Sequence, residues 1–133
     1  MPTSPVETVK EAYDSFAKGD IPTVLNLIDP NAEWVESEAV GIPTRGTPIG
    51  PAAVAEKVFG TISRDWTEFT LVPEKFICEG EEVVVEGHVK ATAKTTGRSM
   101  GAPFVHVFTV REGKVGRLTN HHDTALWLQT LGE

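Results

Sequence analysis

The spacing of apolar residues changes period at Trp66, and that change sharply limits the folds open to this chain. Before Trp66, apolar side chains recur every three or four residues, as on one face of a helix; after it they alternate, as on one face of a strand. Helices first and strands afterwards is the α+β order and excludes an alternating βαβ layout. The 133 residues suit one domain, spanning 1–133, with enough chain to bury a core.

Ser4-Pro5-Val6-Glu7 predicts a helix start, with a capping serine, a proline in the first turn and a glutamate completing a capping box. Val6, Val9, Tyr13 and Phe16 follow at helical spacing, and Gly19 ends the run. Asp20 caps a second short helix with Ile21, Val24, Leu25 and Ile28 on its apolar face, stopped by Asp29-Pro30. Ala32 to Glu36 predicts a short strand with Ala32, Trp34 and Glu36 on one side. A loop from Ser37 to Ile49 leads to a third helix opened by Gly50-Pro51, with Val54, Val58 and Ile62 on one side and Phe59 beside them. Four strands are expected at 66–78, 82–94, 100–111 and 114–122, hinged at Glu79-Gly80-Glu81, Thr96-Gly97 and Glu112-Gly113. Short turns make this an antiparallel meander, and Pro73 and Gly87 should curve it strongly. Asp123 caps a last helix, Thr124 to Leu131, closed by Gly132. Trp66 and Trp127 read as core or interface aromatics. The expected whole is a cone: N-terminal helices packed on a strongly curved, mainly antiparallel sheet, with a cavity between them and a C-terminal helix.

Charge and cysteine content narrow the partners. A net charge of −7 with scattered basic residues argues against nucleic acid, which needs clustered Lys and Arg. Cys78 is the single cysteine, so neither an intramolecular disulfide nor a multi-cysteine metal site is available. No apolar run reaches the ~20 residues of a membrane helix. The opening Met1-Pro2-Thr3-Ser4-Pro5 lacks the basic and apolar regions of a signal peptide, so a cytoplasmic location is expected.

Tyr13-x-x-Phe16-x-x-Gly19-Asp20, Ala32-Glu33-Trp34 and Gly50-Pro51-Ala52-Ala53-Val54 resemble the SnoaL-like branch of the nuclear transport factor 2 superfamily. The run Pro103 to Val115 is similar to that branch's penultimate hairpin, and His122-Asp123-Thr124-Ala125 to its junction into the last helix. The resemblance implies the cone-shaped, cystatin-like fold and a small-molecule pocket. Its relatives include ketosteroid isomerases, polyketide cyclases, epoxide hydrolases, dehydratases and proteins that only bind. It places Glu36 where ketosteroid isomerases have a general-base aspartate, His106 where they have a protonated aspartic acid, and His122 near a pocket tryptophan. The isomerase tyrosine falls on Ala12, with Tyr13 one residue along, and Pro48-Ile49-Gly50 replaces a Tyr-Arg-Gly, which argues against a steroid isomerase. The resemblance also implies a homodimer through the outer sheet face, around Val84, Glu86 and His88.

Three candidates for catalysis emerge: Glu36, His106 and His122. Glu36 shares a strand face with Trp34, and a carboxylate in a dry cavity is expected to have a raised pKa, suited to a general acid or base. Ketosteroid isomerases, to which the resemblance leads, tune their carboxylic acids by the same means. His106, mid-strand between Phe104 and Phe108, can donate to a developing oxyanion. Asn120 and His122 alternate with Leu118 on the last strand and can orient a ligand or move a proton. Trp34, Phe104, Phe108, Leu118, Asn120, Tyr13 and Phe59 are the expected ligand-lining residues. No metal or cofactor is expected, since His121 and His122 point to opposite faces of a strand and no ligand spacing links His106, His122 and Glu36. Two readings remain open. One is a cofactor-independent isomerase, cyclase or dehydratase acting on an apolar carbonyl compound, with a hydrolase as a weaker variant. The other is a non-catalytic ligand-binding or interaction domain.

Overall fold

The computed structural model describes residues 4–36 and 48–132. Most of the loop 37–49, and with it most of the Gly/Pro segment 41–50, lies outside the described residues. Helix α1 (Pro5–Ala17) starts as its capping residues dictate, with Ser4 Oγ accepting from the Glu7 amide at 3.2 Å. Its inward face carries Val9 and Tyr13 into the core. Helix α2 (Ile21–Asn26) is capped by Asp20, which accepts from the Thr23 amide at 3.3 Å and its hydroxyl at 2.7 Å.

Ile28 leaves α2 and opens strand β1 (Ile28–Val35), so the sequence expectation of a strand beginning at Ala32 is too short. Backbone pairing explains the difference. The Val115 amide donates to Leu27 O at 2.7 Å, and Ile28 pairs with Val115. Asp29-Pro30 falls where the register shifts between Ile28 and Glu33, so the proline there removes no regular ladder bond.

Gly50 to Asp65 runs as helix α3 (Gly50–Val54), a π-helical turn (Ala55–Phe59) and helix α4 (Gly60–Asp65). The wide turn carries Val58 into the core and Phe59 against Trp34, ring centroids 5.9 Å apart. Strands β2 (Trp66–Glu79), β3 (Glu82–Ala93), β4 (Ser99–Arg111) and β5 (Lys114–His122) form the expected meander. The sheet order is β1-β5-β4-β3-β2, with β1 parallel to β5 and every other pair antiparallel. The sheet is open, with β1 and β2 at its edges.

Its bend has a local cause. Pro73 stands opposite Gly87 beside a register shift, and there the strands close so tightly that a Cβ on Gly87 would meet Val72 O and lie 2.7 Å from Phe104 Cζ. The concave face buries Val83, Val85, Val89, Phe104, Phe108 and Val110, while Glu86, His88 and Lys90 point outward. Helix α5 (Thr124–Leu131) is capped by Asp123, which accepts from the Leu126 amide at 3.0 Å. The β3–β4 connection holds its far end, through Thr96 Oγ1 to Thr130 O at 2.7 Å and Arg98 Nη1 to Gln129 O at 2.8 Å. Among the described residues no helix is long and apolar enough to cross a membrane.

Candidate active site

A cavity lies between the helices and the concave face of the sheet, with about 100 Å³ open to the centre of a water-sized sphere. That is several times what one water needs, so the space suits a molecule with several heavy atoms. Its wall is largely apolar. Phe16, Phe59, Trp66, Phe69, Leu71, Phe108, Val115, Leu118 and Trp127 supply most of it. Polar groups gather where the end of β1 meets β4 and β5. Tyr13, Trp34, Glu36, His106, Asn120 and His122 all line the cavity.

Glu36 is the centre of this polar group. It follows β1 two residues after Trp34, so both side chains turn inward. Trp34 Nε1 donates to Glu36 Oε1 at 2.8 Å, and Asn120 Nδ2 donates to Glu36 Oε2 at 2.9 Å. His122 Nε2 lies 3.6 Å from the same Oε2, a contact longer than a hydrogen bond. The side chains of His122 and Glu36 are only 3% and 9% exposed. Burial pushes the Glu36 pKa up, as its sequence context implies. The contacts with His122 and Trp34 and the fields of His122 and His106 outweigh burial, and the carboxyl ends below its ordinary value. The expected rise is thereby corrected: the side chain is buried, but Trp34 and Asn120 supply the anion with donors.

His106 differs. Burial outweighs the pull of the Glu36 charge, and its pKa falls to about 4, so the ring is neutral at physiological pH. Tyr13 Oη lies 2.6 Å from His106 Nδ1, with the two rings nearly parallel at 7°. Burial drives the Tyr13 pKa far above its ordinary value, which keeps the hydroxyl a donor. A phenol donating to Nδ1 leaves the imidazole hydrogen on Nε2. His106 stands directly opposite Asn120 in the β4–β5 ladder, and the Asn120 side chain offsets part of the fall in its pKa. Tyr13 thus bonds His106, and Asn120, directly across the ladder from His106, donates to Glu36. His106 Nδ1 is thus taken by Tyr13, and Nε2 carries the hydrogen of the ring.

The remaining expected residues divide. Trp34, Phe59, Phe108, Leu118 and Asn120 stand on the cavity wall. Phe104 does not. It is 3% exposed, stacks on His106 at 4.2 Å and fills the space left by Gly87, because its strand position lies at the bend, beyond the cavity. Trp66 and Trp127, expected as core or interface aromatics, both line the cavity. Trp127 packs on His122 at 4.7 Å and on Trp66 at 5.2 Å. The available signal is the short Asp123 cap, which turns α5 back over the last strand directly after His122.

An open, bent sheet wrapped around helices, with a polar cluster at one end of an apolar cavity, defines a nuclear transport factor 2-like protein. Within that class, the chain belongs to the SnoaL-like domain family, whose sequence profile matches residues 9–118. A nuclear transport factor 2-like protein of unknown function from Burkholderia pseudomallei is 30% identical, with a TM-score of 0.91 over 98% of this chain and 99% of that one. TerC, co-crystallised with polyporic acid, is 28% identical, with a TM-score of 0.89 over 98% of this chain and 100% of that one. A nuclear transport factor 2-like protein from Burkholderia thailandensis is 26% identical, with a TM-score of 0.90 over 97% of this chain and 98% of that one. No functionally curated protein matches the chain.

Proposed function

We propose that the protein binds a largely apolar carbonyl compound in this cavity and, without a cofactor, moves a proton on it by way of Glu36 and His122. One observation carries the reading. A buried, ionised carboxylate and a buried imidazole lie 3.6 Å apart in a largely apolar cavity. Two such groups can pass a proton between a C–H of the ligand and its oxygen, the step shared by isomerisation, cyclisation and dehydration. His106, Tyr13 and Asn120 then position Glu36, and the aromatic wall holds the ligand body. TerC, a 28% identical relative crystallised with an organic acid, supports a ligand-binding role for the cavity.

A second reading has its own support. Hydrogen bonds hold the Glu36 pKa down, which weakens it as a base and suits a fixed anion that only orients a ligand. Exchange in deuterated water separates the two. Ketone probes are incubated with wild type and Glu36→Gln, and deuterium uptake at the carbon beside the carbonyl is followed by NMR. Glu36-dependent uptake supports catalysis. Binding with no uptake, or equal uptake in both proteins, leaves the orienting role.

We also propose that the outer sheet face pairs two copies of the chain. Val72 and Ile77 are 37% and 45% exposed there, beside Val84. Light scattering tests this, and a monomer at every concentration would reject it.

A further inference from the structure

Hydrogen bonding in the cavity is uneven. Tyr13, His106 and Glu36 all have partners. By contrast, His122 Nδ1, His122 Nε2 and Trp127 Nε1 are buried with no hydrogen-bond partner among the described residues. These atoms belong to two rings packed together at 4.7 Å, both on the cavity wall. Buried polar groups in folded proteins are almost always paired, so a cluster of unpaired ones beside an open space marks where a ligand's polar atoms sit.

The three atoms also specify which polar atoms. Indole Nε1 only donates, so it needs an acceptor oxygen. His122 Nε2 faces Glu36 Oε2, and a carboxylate only accepts, which places the imidazole hydrogen on Nε2. In the neutral ring, Nδ1 is then an acceptor and needs a donor. We infer that the ligand's head group is a carbonyl oxygen with an adjacent hydroxyl, the oxygen accepting from Trp127 and the hydroxyl donating to His122. This rests on the proposed small-molecule cavity and narrows its substrate from ketones in general to hydroxy ketones. It also gives His122 a specific part, since a hydroxyl bonded to Nδ1 is aligned to exchange its proton with the His122–Glu36 pair. A simple ketone would leave Nδ1 unpaired, and a simple alcohol would leave the indole N–H unpaired.

The test needs four small aromatic probes: phenacyl alcohol, its methyl ether, acetophenone and phenethyl alcohol. Affinity for the wild-type protein is read by titration calorimetry. Phenacyl alcohol is expected to bind about tenfold more tightly than each of the others, the worth of one buried hydrogen bond. In Trp127→Phe the advantage over phenethyl alcohol should vanish while the advantage over the methyl ether remains. In His122→Phe the reverse is expected. The comparison among probes on wild type stands even where a variant folds poorly. Equal affinities for phenacyl alcohol and its methyl ether, or an advantage untouched by either substitution, overturn the inference. Deuterium uptake by phenacyl alcohol separates this from the catalytic reading. The preference without uptake retains the head group and sinks proton abstraction, whereas uptake without the preference does the opposite. Binding of none of the four overturns both.

Discussion

His106 should make the protein acid-sensitive over a defined pH window. Its pKa falls from 6.5 to about 4 on folding, chiefly through burial. Between those values the unfolded chain carries a proton on His106 that the folded chain does not, so stability falls as pH falls. The slope from one such group is about 1.4 kcal/mol per pH unit, and the whole window is worth roughly 3 kcal/mol. Above pH 6.5 this contribution is complete and constant. Glu36 acts with the same sign but lower down. Its folded pKa lies below its ordinary 4.5, so its contribution is present above that value and lost as pH falls through the folded pKa. The range from 6.5 to 4.5 therefore separates His106 from Glu36. Urea unfolding at pH 7.5, 6.5, 5.5 and 4.5 on wild type and His106→Phe provides the assay. Phenylalanine suits a site flanked by Phe104 and Phe108, but it deprives the Tyr13 hydroxyl of its acceptor, so slopes and not absolute stabilities are compared. Wild type should lose stability steadily below pH 6.5, and the variant should lose markedly less. Parallel slopes in the two proteins, or a flat wild-type profile, would refute a neutral, buried His106.

Tyr13→Phe removes the donor to His106 Nδ1 and should cost about 1–3 kcal/mol; nitrogen NMR of the His106 ring should show the Nε2–H tautomer fixed in wild type and mixed in the variant. Gly87→Ala forces a methyl group against Val72 O and the Phe104 ring and should destabilise by roughly 1–3 kcal/mol in thermal unfolding, more if the sheet cannot relax. Asp123→Ala removes the α5 cap and should cost about 1 kcal/mol, with loss of protection of the α5 amides in hydrogen exchange ahead of the meander. Glu36→Gln keeps the shape of the site but removes the anion, so it should lower the pH at which His106 protonates, because the Glu36 charge favours the protonated ring.

Much of this protein is local, and what is local can be read from the chain. The caps at Ser4, Asp20 and Asp123 act within three residues of themselves, so their helices start where the sequence places them. Alternation after Trp66 is a property of consecutive residues, and it assigns Val83, Val85 and Val89 to the buried face and Glu86 and His88 to the outer one. The same alternation puts His106, Asn120 and His122 on one face, and the SnoaL-like motifs supply the order of the elements. Tertiary structure decided the rest, because it depends on groups far apart in the chain. Parallel pairing with β5 drew Ile28 to Asn31 out of a helix and loop and into β1. The Glu36 pKa turned downward through His122 and Trp34, and His122 is a neighbour on the last strand that no local pattern sets beside it. Phe104 left the cavity wall because a glycine on the neighbouring strand opened a space for its ring. Trp127 joined the cavity because α5 folds back over His122, which its own helical spacing does not disclose. Periodicity tells which way a side chain points; only the packed fold determines what waits there to meet it.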